Sequence, residues 1–258
     1  SGNKYRVSAH DADMKETEAI YGQTDSGMTI IEGHLFLNGK KPIQHRSSYG
    51  LGEVIKAALD NHTEHLVISL GGIGSFDGGA GMLQALGARF YDDEAQIVDM
   101  RKGADLIKYI RRIDLSGVHP QLTKVNIQLM SDFSSRLYGK KSEIMQTYES
   151  LDLSQNEAAE IDNLIWYFSE LFKNELKIAM GPIERGGAGG GIAAVLNSLY
   201  QAEILTSHEL VNQITHLENL IQQADLIIFG EGLKEEDQIL ETTTIRIAEL
   251  TQQYSKPA

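Results

Sequence analysis

Three glycine-dense segments, each preceded by a β-branched apolar run, hold the residues best suited to chemistry. They are Leu66-Val-Ile-Ser-Leu-Gly-Gly-Ile-Gly-Ser-Phe-Asp-Gly-Gly-Ala-Gly81, Ile178-Ala-Met-Gly-Pro-Ile-Glu-Arg-Gly-Gly-Ala-Gly-Gly-Gly-Ile192 and Leu226-Ile-Ile-Phe-Gly-Glu-Gly232. A strand that runs through glycines into a helix brings uncovered backbone N–H groups to a helix N-terminus. Partial positive charge and spare donors there suit an anion. An acid lies in or beside each run: Asp77, Glu184 and Glu231. The combination predicts a site for a small phosphate or carboxylate.

In the first loop Gly71, Gly72, Gly78 and Gly79 leave the backbone open, Ser75 adds a hydroxyl and Asp77 a carboxylate. Asp77 could bind Mg²⁺ or take a proton from a hydroxyl nucleophile. The same spacing suits a plain strand–helix turn with Asp77 as its N-cap. In the second loop Gly187, Gly189 and Gly190 could cradle an anion or simply allow close helix–strand packing. Gly230-Glu231-Gly232 follows an apolar run, and ligands of open α/β sheets gather at the carboxyl ends of strands. Glu231 is therefore a candidate catalytic or ligating carboxylate, against a solvated turn acid. Asp132 also follows a strand-like run and is a candidate metal ligand, against a helix cap or surface acid.

Familiar nucleotide motifs fail. Gly33-His-Leu-Phe-Leu-Asn-Gly-Lys-Lys41 has one spacer too many for a P-loop and lacks its hydroxyl. It reads instead as a hairpin turn at Asn38-Gly39. The dinucleotide spacing begun by Gly72 and Gly74 meets Asp77 where glycine is needed. The eight histidines show no metal spacing.

With 23 basic and 36 acidic residues among 258, the net charge is −13. That disfavours nucleic acid as a partner. It leaves room for ATP, held by a local nest of N–H groups and a divalent cation. No cysteine is present, which excludes disulfides and thiolate chemistry. No apolar run reaches membrane-spanning length. A soluble cytoplasmic chain is expected, with a homo-oligomer left open.

The elements that must position the loops alternate. Tyr5–Ala9 and Met28–Ile31 read as strands about a turn at Asp25–Gly27, and Tyr49–Gly52 as punctuation before a helix over Glu53–Asp60. His65–Leu70 reads as a buried strand, Ala80–Leu86 as a helix stopped by Gly87, and Lys124–Met130 as a strand. Gln155–Leu176 is a long amphipathic helix, with Lys177–Met180 either its tail or a short strand. Gly191–Tyr200 and Ser207–Asn219 read as helices, Ala224–Phe229 as a strand and Ile239–Tyr254 as a last helix. This alternation predicts an α/β fold with a mixed, largely parallel sheet and flanking helices.

The loops resemble those of the bacterial type I glycerate kinase family. Gly71-Gly-Ile-Gly-Ser-Phe-Asp-Gly-Gly-Ala-Gly-Met-Leu-Gln-Ala-Leu-Gly87 is similar to that family's G-G-S-A-T-x-D-G-G-A-G-M-x-x-A-L-G. Ser47-Ser-Tyr-Gly-Leu-Gly52, Gly187-Ala-Gly-Gly-Gly-Ile-Ala-Ala194 and Ala224-Asp-Leu-Ile-Ile-Phe-Gly-Glu-Gly232 resemble further motifs in the family's order. The resemblance implies phosphorylation of a hydroxyl of D-glycerate or a related hydroxy acid, with ATP and Mg²⁺. It implies that residues 1–258 are the family's inserted domain, supplying one wall of a cleft and inactive alone. The chain departs from the family after Glu231, where Leu233 replaces an arginine and Glu241-Thr242 replaces Gly-Lys. The lost cation favours an alternative, a weakened relative that senses a hydroxy acid or nucleotide.

Overall fold

The computed structural model describes residues 1–71, 74–230 and 243–257. Its elements run β1 (Gly2–His10), β2 (Glu16–Thr24), β3 (Met28–Glu32), α1 (His34–Leu37), α2 (Tyr49–Asp60), β4 (His65–Ser69), α3 (Ala80–Ala85), β5 (Arg89–Tyr91) and β6 (Arg112–Asp114). They continue β7 (Asn126–Met130), α4 (Glu143–Thr147), α5 (Gln155–Leu176), α6 (Ile192–Tyr200), β8 (Glu203–Leu205), α7 (Ser207–Thr215), α8 (Leu217–Gln223) and α9 (Thr243–Gln253).

The main sheet has the order β1-β2-β3-β4-β7-β8, and β5 and β6 form a separate antiparallel pair. β1, β2 and β3 pair antiparallel, whereas β3-β4, β4-β7 and β7-β8 are parallel. The fold is therefore α/β with the expected mixed, mostly parallel sheet. β4 is central and buried on both faces, so Leu66-Val67-Ile68 is a continuous apolar run. β1 lies at the edge and reads as a weak alternation. Register aligns Glu32 with Ser69, Ser69 with Met130 and Met130 with Leu205. All four parallel strands thus end in one row, and the chain emerges from that edge into the first glycine loop, Asp132 and α7.

α5 begins at Ser154, whose hydroxyl accepts Glu157 N while Glu157 reaches back to the Ser154 amide, a complete capping box. Its Phe168 packs edge-on with Phe90 of β5 and with Phe172 one turn on, fixing the helix over β5.

Several local expectations are corrected. Tyr49–Gly52 does not interrupt α2 but forms its first turn, because tertiary contact demands glycine there. A side-chain carbon at Gly50 would lie 1.6 Å from the His10 carbonyl oxygen, and one at Gly52 2.4 Å from that of Met82. Asn38-Gly39 makes no hairpin; it follows α1, and Gly39 presses against the Asp13 carboxylate. Residues 177–180 are neither helix nor strand, since Lys177 turns left-handed (φ 61°) and ends α5. His216 (φ 52°) splits the expected helix into α7 and α8.

The run Ala224–Phe229 is not a strand. It joins no sheet edge among the described residues, Ile227 N bonds to Pro257 O at 2.9 Å, and Ile228 is 87% exposed. The last helix begins at Thr243, and its expected first turn lies outside the described residues.

Gly50→Ala tests the first of these contacts. Alanine is the better helix former, yet the overlap with His10 is expected to destabilise by roughly 1–3 kcal/mol. Urea unfolding followed by circular dichroism measures this; an unchanged or raised midpoint contradicts the packing described.

Candidate functional site: two interlocked glycine loops

The first loop leaves β4 at Leu70, whose N–H bonds to Met130 O (2.8 Å). It is held from outside by Gly74 N to Leu37 O (3.2 Å) and Arg46 Nη1 to Gly74 O (3.0 Å). It then turns inward. Ser75, Phe76 and Asp77 are buried, and the chain enters α3.

Asp77 organises this turn. Its Oδ2 accepts Ser48 N (2.8 Å), Ser48 Oγ (2.9 Å) and Gly81 N (3.2 Å), and its Oδ1 accepts Gly79 N (3.0 Å). Ser48 Oγ in turn accepts Met82 N (2.9 Å). One carboxylate therefore ties the start of α2 to the start of α3. Burial pushes the Asp77 carboxyl up, opposed by the bonds from Ser48, Gly81 and Gly79. The residue is 0% exposed. Gly79, not Asp77, is the N-cap of α3, and Asp77 braces the turn from two residues earlier, with its carboxylate fully enclosed. The uncovered amides expected here are also occupied: Gly78 N by Gly190 O (3.0 Å), Ala80 N by Asp77 O (3.0 Å) and Gly79 and Gly81 by the carboxylate. Gly71 alone among the described candidates of this loop stands exposed with open space about it; Gly72 lies outside the described residues.

The second loop packs directly on the first. Gly189, Gly190 and Gly191 have φ of 75°, 58° and 103°, a left-handed run that side chains resist. A side-chain carbon at Gly190 would meet the Ser75 carbonyl oxygen at 2.1 Å, and one at Gly187 would meet Ser135 Oγ at 2.6 Å. Gly187 N bonds to Ser135 O (3.3 Å). Gly187, Gly189 and Gly190 are buried and serve the close-packing role in this arrangement.

Asp132 leaves the same sheet edge after β7 and is half-buried. Its Oδ1 accepts Ser207 N (2.6 Å) at the start of α7, the helix-cap arrangement. Gly230 is exposed with open space around it. Glu231 and Gly232 lie outside the described residues, so the first two loops are brought together and the third is not placed. Among the described residues no three histidine or acidic side chains gather as a metal set.

Three polar groups here escaped the sequence reading. Ser75 Oγ, Ser135 Oγ and Glu143 Oε2 are buried oxygens without a hydrogen-bond partner. The sequence marks Ser75 as a loop hydroxyl but gives no sign that it is buried. Burial pushes the Glu143 carboxyl up to about 7, opposed by the nearby Gly190 N–H. The only signal was Ser142-Glu143 opening a helix; that α4 faces the second loop is a tertiary fact. Ser48 was visible only inside the resembling motif at 47–52.

Residues 1–258, the whole chain, match the sequence model of the glycerate kinase family. The chain belongs to that family. A glycerate kinase of Halalkalibacterium halodurans is 31% identical over 247 residues, covering 93% of this chain and 64% of that protein. The glycerate 2-kinase of Escherichia coli is 30% identical over 211 residues, covering 82% and 55%. A crystal structure from Salmonella typhimurium LT2, assigned as glycerate kinase 2, superposes with a TM-score of 0.89 at 28% identity, covering 99% of this chain and 70% of that one. The chain thus spans under two thirds of the length of both curated relatives. Among the described residues no helix is long and apolar enough to cross a membrane.

Asp77→Asn probes the tie between the loops and helices. An amide keeps one accepting oxygen, so at least one buried N–H is left facing an NH₂ group. The expected loss is about 1–3 kcal/mol. Equilibrium unfolding at neutral pH reads it, and a loss below experimental error removes Asp77 as the anchor of this turn.

Proposed function

We propose that the intact protein transfers the γ-phosphoryl group of ATP to a hydroxyl of D-glycerate or a related small hydroxy acid in the cytoplasm. Family membership along all of residues 1–258 carries this reading. The geometry supports it: two glycine loops are locked together where the parallel strands end, the usual place for ligands in open α/β sheets. In this proposal residues 1–258 are the family's inserted domain and form one wall of the cleft. The exposed Gly71 and Gly230 are where a ligand first meets the backbone.

Asp77 holds the first loop and the heads of α2 and α3 in place, so it acts by positioning. Ser75, Gly78 and Gly79 shape the same loop, as Gly187, Gly189 and Gly190 shape the second. The described acids do not form a protein cage for Mg²⁺. They fit an ion carried mainly by phosphates, which needs only one or two carboxylates. Asp132, at the strand-end edge, is the described carboxylate suited to that part, and Glu231 is the second candidate. When bound, the ion neutralises phosphate charge as it develops.

A second reading is favoured by Leu233 and Glu241-Thr242, where the resembling motif carries Arg and Gly-Lys. Losing one such electrostatic contact costs on the order of a hundredfold in rate. A relative that binds hydroxy acid or nucleotide without turnover would tolerate that loss.

A coupled ADP-release assay on the intact protein, with calorimetry beside it, separates the two. ADP is expected only when ATP, Mg²⁺ and D-glycerate are all present, with phosphoglycerate as product. Asp132→Asn is expected to raise the Mg²⁺ concentration needed for half-maximal rate. Binding of glycerate or ATP without any ADP formed overturns the kinase reading in favour of the sensor.

A further inference from the structure

We propose that the basic pocket where β1 ends binds the phosphate group of a small organic phosphate. The pocket lies beside the first glycine loop, on the same edge of the sheet. Binding there does not depend on the kinase reading.

The sheet fixes the position. β1 is antiparallel to β2, and β2 is antiparallel to β3, so β1 and β3 run the same way. β1 therefore ends, at His10, on the edge where the parallel strands end. There His10, Met14, Lys41, His45, Arg101 and Lys102 line a depression of about 560 Å³. Small-molecule sites span roughly 300–1,000 Å³. Lys41, Arg101 and Lys102 are fixed cations, His10 and His45 become cations when protonated, and no acid belongs to the lining. This is a concentration of positive charge in a chain of net charge −13.

Hydrogen bonds hold the walls in place. Asp13 accepts Lys40 N (2.7 Å) and Lys41 N (2.9 Å), and Lys41 Nζ donates back to Asp13 O (2.6 Å). A carbonyl partner leaves the Lys41 charge uncancelled, with two N–H still to give. Glu53 of α2 accepts both His10 N (2.9 Å) and His10 Nδ1 (2.9 Å), leaving Nε2 for the pocket. Arg101 is gripped by Asp99 through Nε (2.8 Å) and Nη2 (3.0 Å), and His45 Nδ1 lies 3.5 Å from Asp105. These acids stand behind the cations, and each is already engaged.

The same walls reach the first loop. Arg46 donates from Nε to Lys41 O (2.7 Å) and from Nη1 to Gly74 O (3.0 Å), so one guanidinium spans pocket and loop. Ser47 Oγ donates to Met100 O (2.8 Å), next to Arg101, while the adjacent Ser48 holds Asp77. A preorganised set of cations favours the ligand of higher charge. A phosphate monoester carries about −1.5 to −2 at neutral pH, against −1 for a carboxylate, and the depression has room for the organic group attached to it.

The test uses inorganic phosphate on the intact protein at low ionic strength and fixed pH, read in ¹H–¹³C spectra of the histidine rings. The His10 and His45 signals, identified with His10→Gln and His45→Gln, are expected to move and saturate while the other histidines of residues 1–258 stay still. Lys102→Glu is expected to weaken binding roughly tenfold. Lys140→Glu makes the same charge change on an exposed residue outside the pocket, and should weaken it less than about twofold. His10 and His45 signals that move no more than the rest overturn the site, as does equal weakening by the two variants. Phosphoglycerate and ATP are then compared as probes. The one that moves these two signals at lower concentration identifies the source of the phosphate; if neither binds more tightly than inorganic phosphate, the organic phosphate is overturned. A protein that binds phosphate here yet forms no phosphoglycerate overturns the kinase reading alone.

Discussion

Backbone meeting backbone between the two glycine loops is the contact on which the rest of this molecule depends. Gly78 N donates to Gly190 O, and Gly190 rests on the Ser75 carbonyl at a separation no side chain could share. The loops come from distant parts of the chain, and each is followed by a helix. Joining them fixes α3 and α6 relative to the sheet edge where β3, β4 and β7 end. Close approach of polar backbone is stable only because each buried N–H finds an acceptor. That requirement, more than any ligand, accounts for the density of glycine in both segments.

Two acids, Asp77 fully buried and Glu143 half-buried, show how environment assigns different work to the same functional group. Asp77 is surrounded by four donors from Ser48, Gly79 and Gly81, and its charge is spread through a network that closes two helix starts. Glu143 has a covered oxygen, Oε2, with no partner. Desolvation opposes ionisation in both and raises both carboxyls in spite of the hydrogen-bond donors around them, but only the first has donors enough to tie distant segments together. The second is left near the threshold of ionisation at neutral pH.

Elements whose stability is local were legible in advance. Ser154 and Glu157 specify the start of α5 by themselves, and its apolar spacing carries it to Leu176. The run at 66–68 could only be a strand buried on both faces. The glycine loops were also legible as loops, from their composition, though not that two of them pack on each other. Which amides would remain open was not, because that depends on acceptors supplied from elsewhere in the chain: Gly190 for the first loop and Ser135 for the other. The apolar run at 224–229 failed as a strand for the converse reason, since a strand needs a neighbouring edge that sequence alone cannot supply.

By itself, then, the sequence determined the α/β alternation, the long capped helix, the glycine loops and the family to which the chain belongs, all of which are written in local pattern. Only the tertiary structure decided that Gly50 and Gly52 sit inside a helix and that Asp77 is enclosed. It alone covered one carboxylate oxygen of Glu143, a residue with no motif around it, and left that oxygen without a partner. Burial and close contact are properties of where distant segments meet, and the ionisation of a carboxylate is governed by those surroundings rather than by its neighbours along the chain.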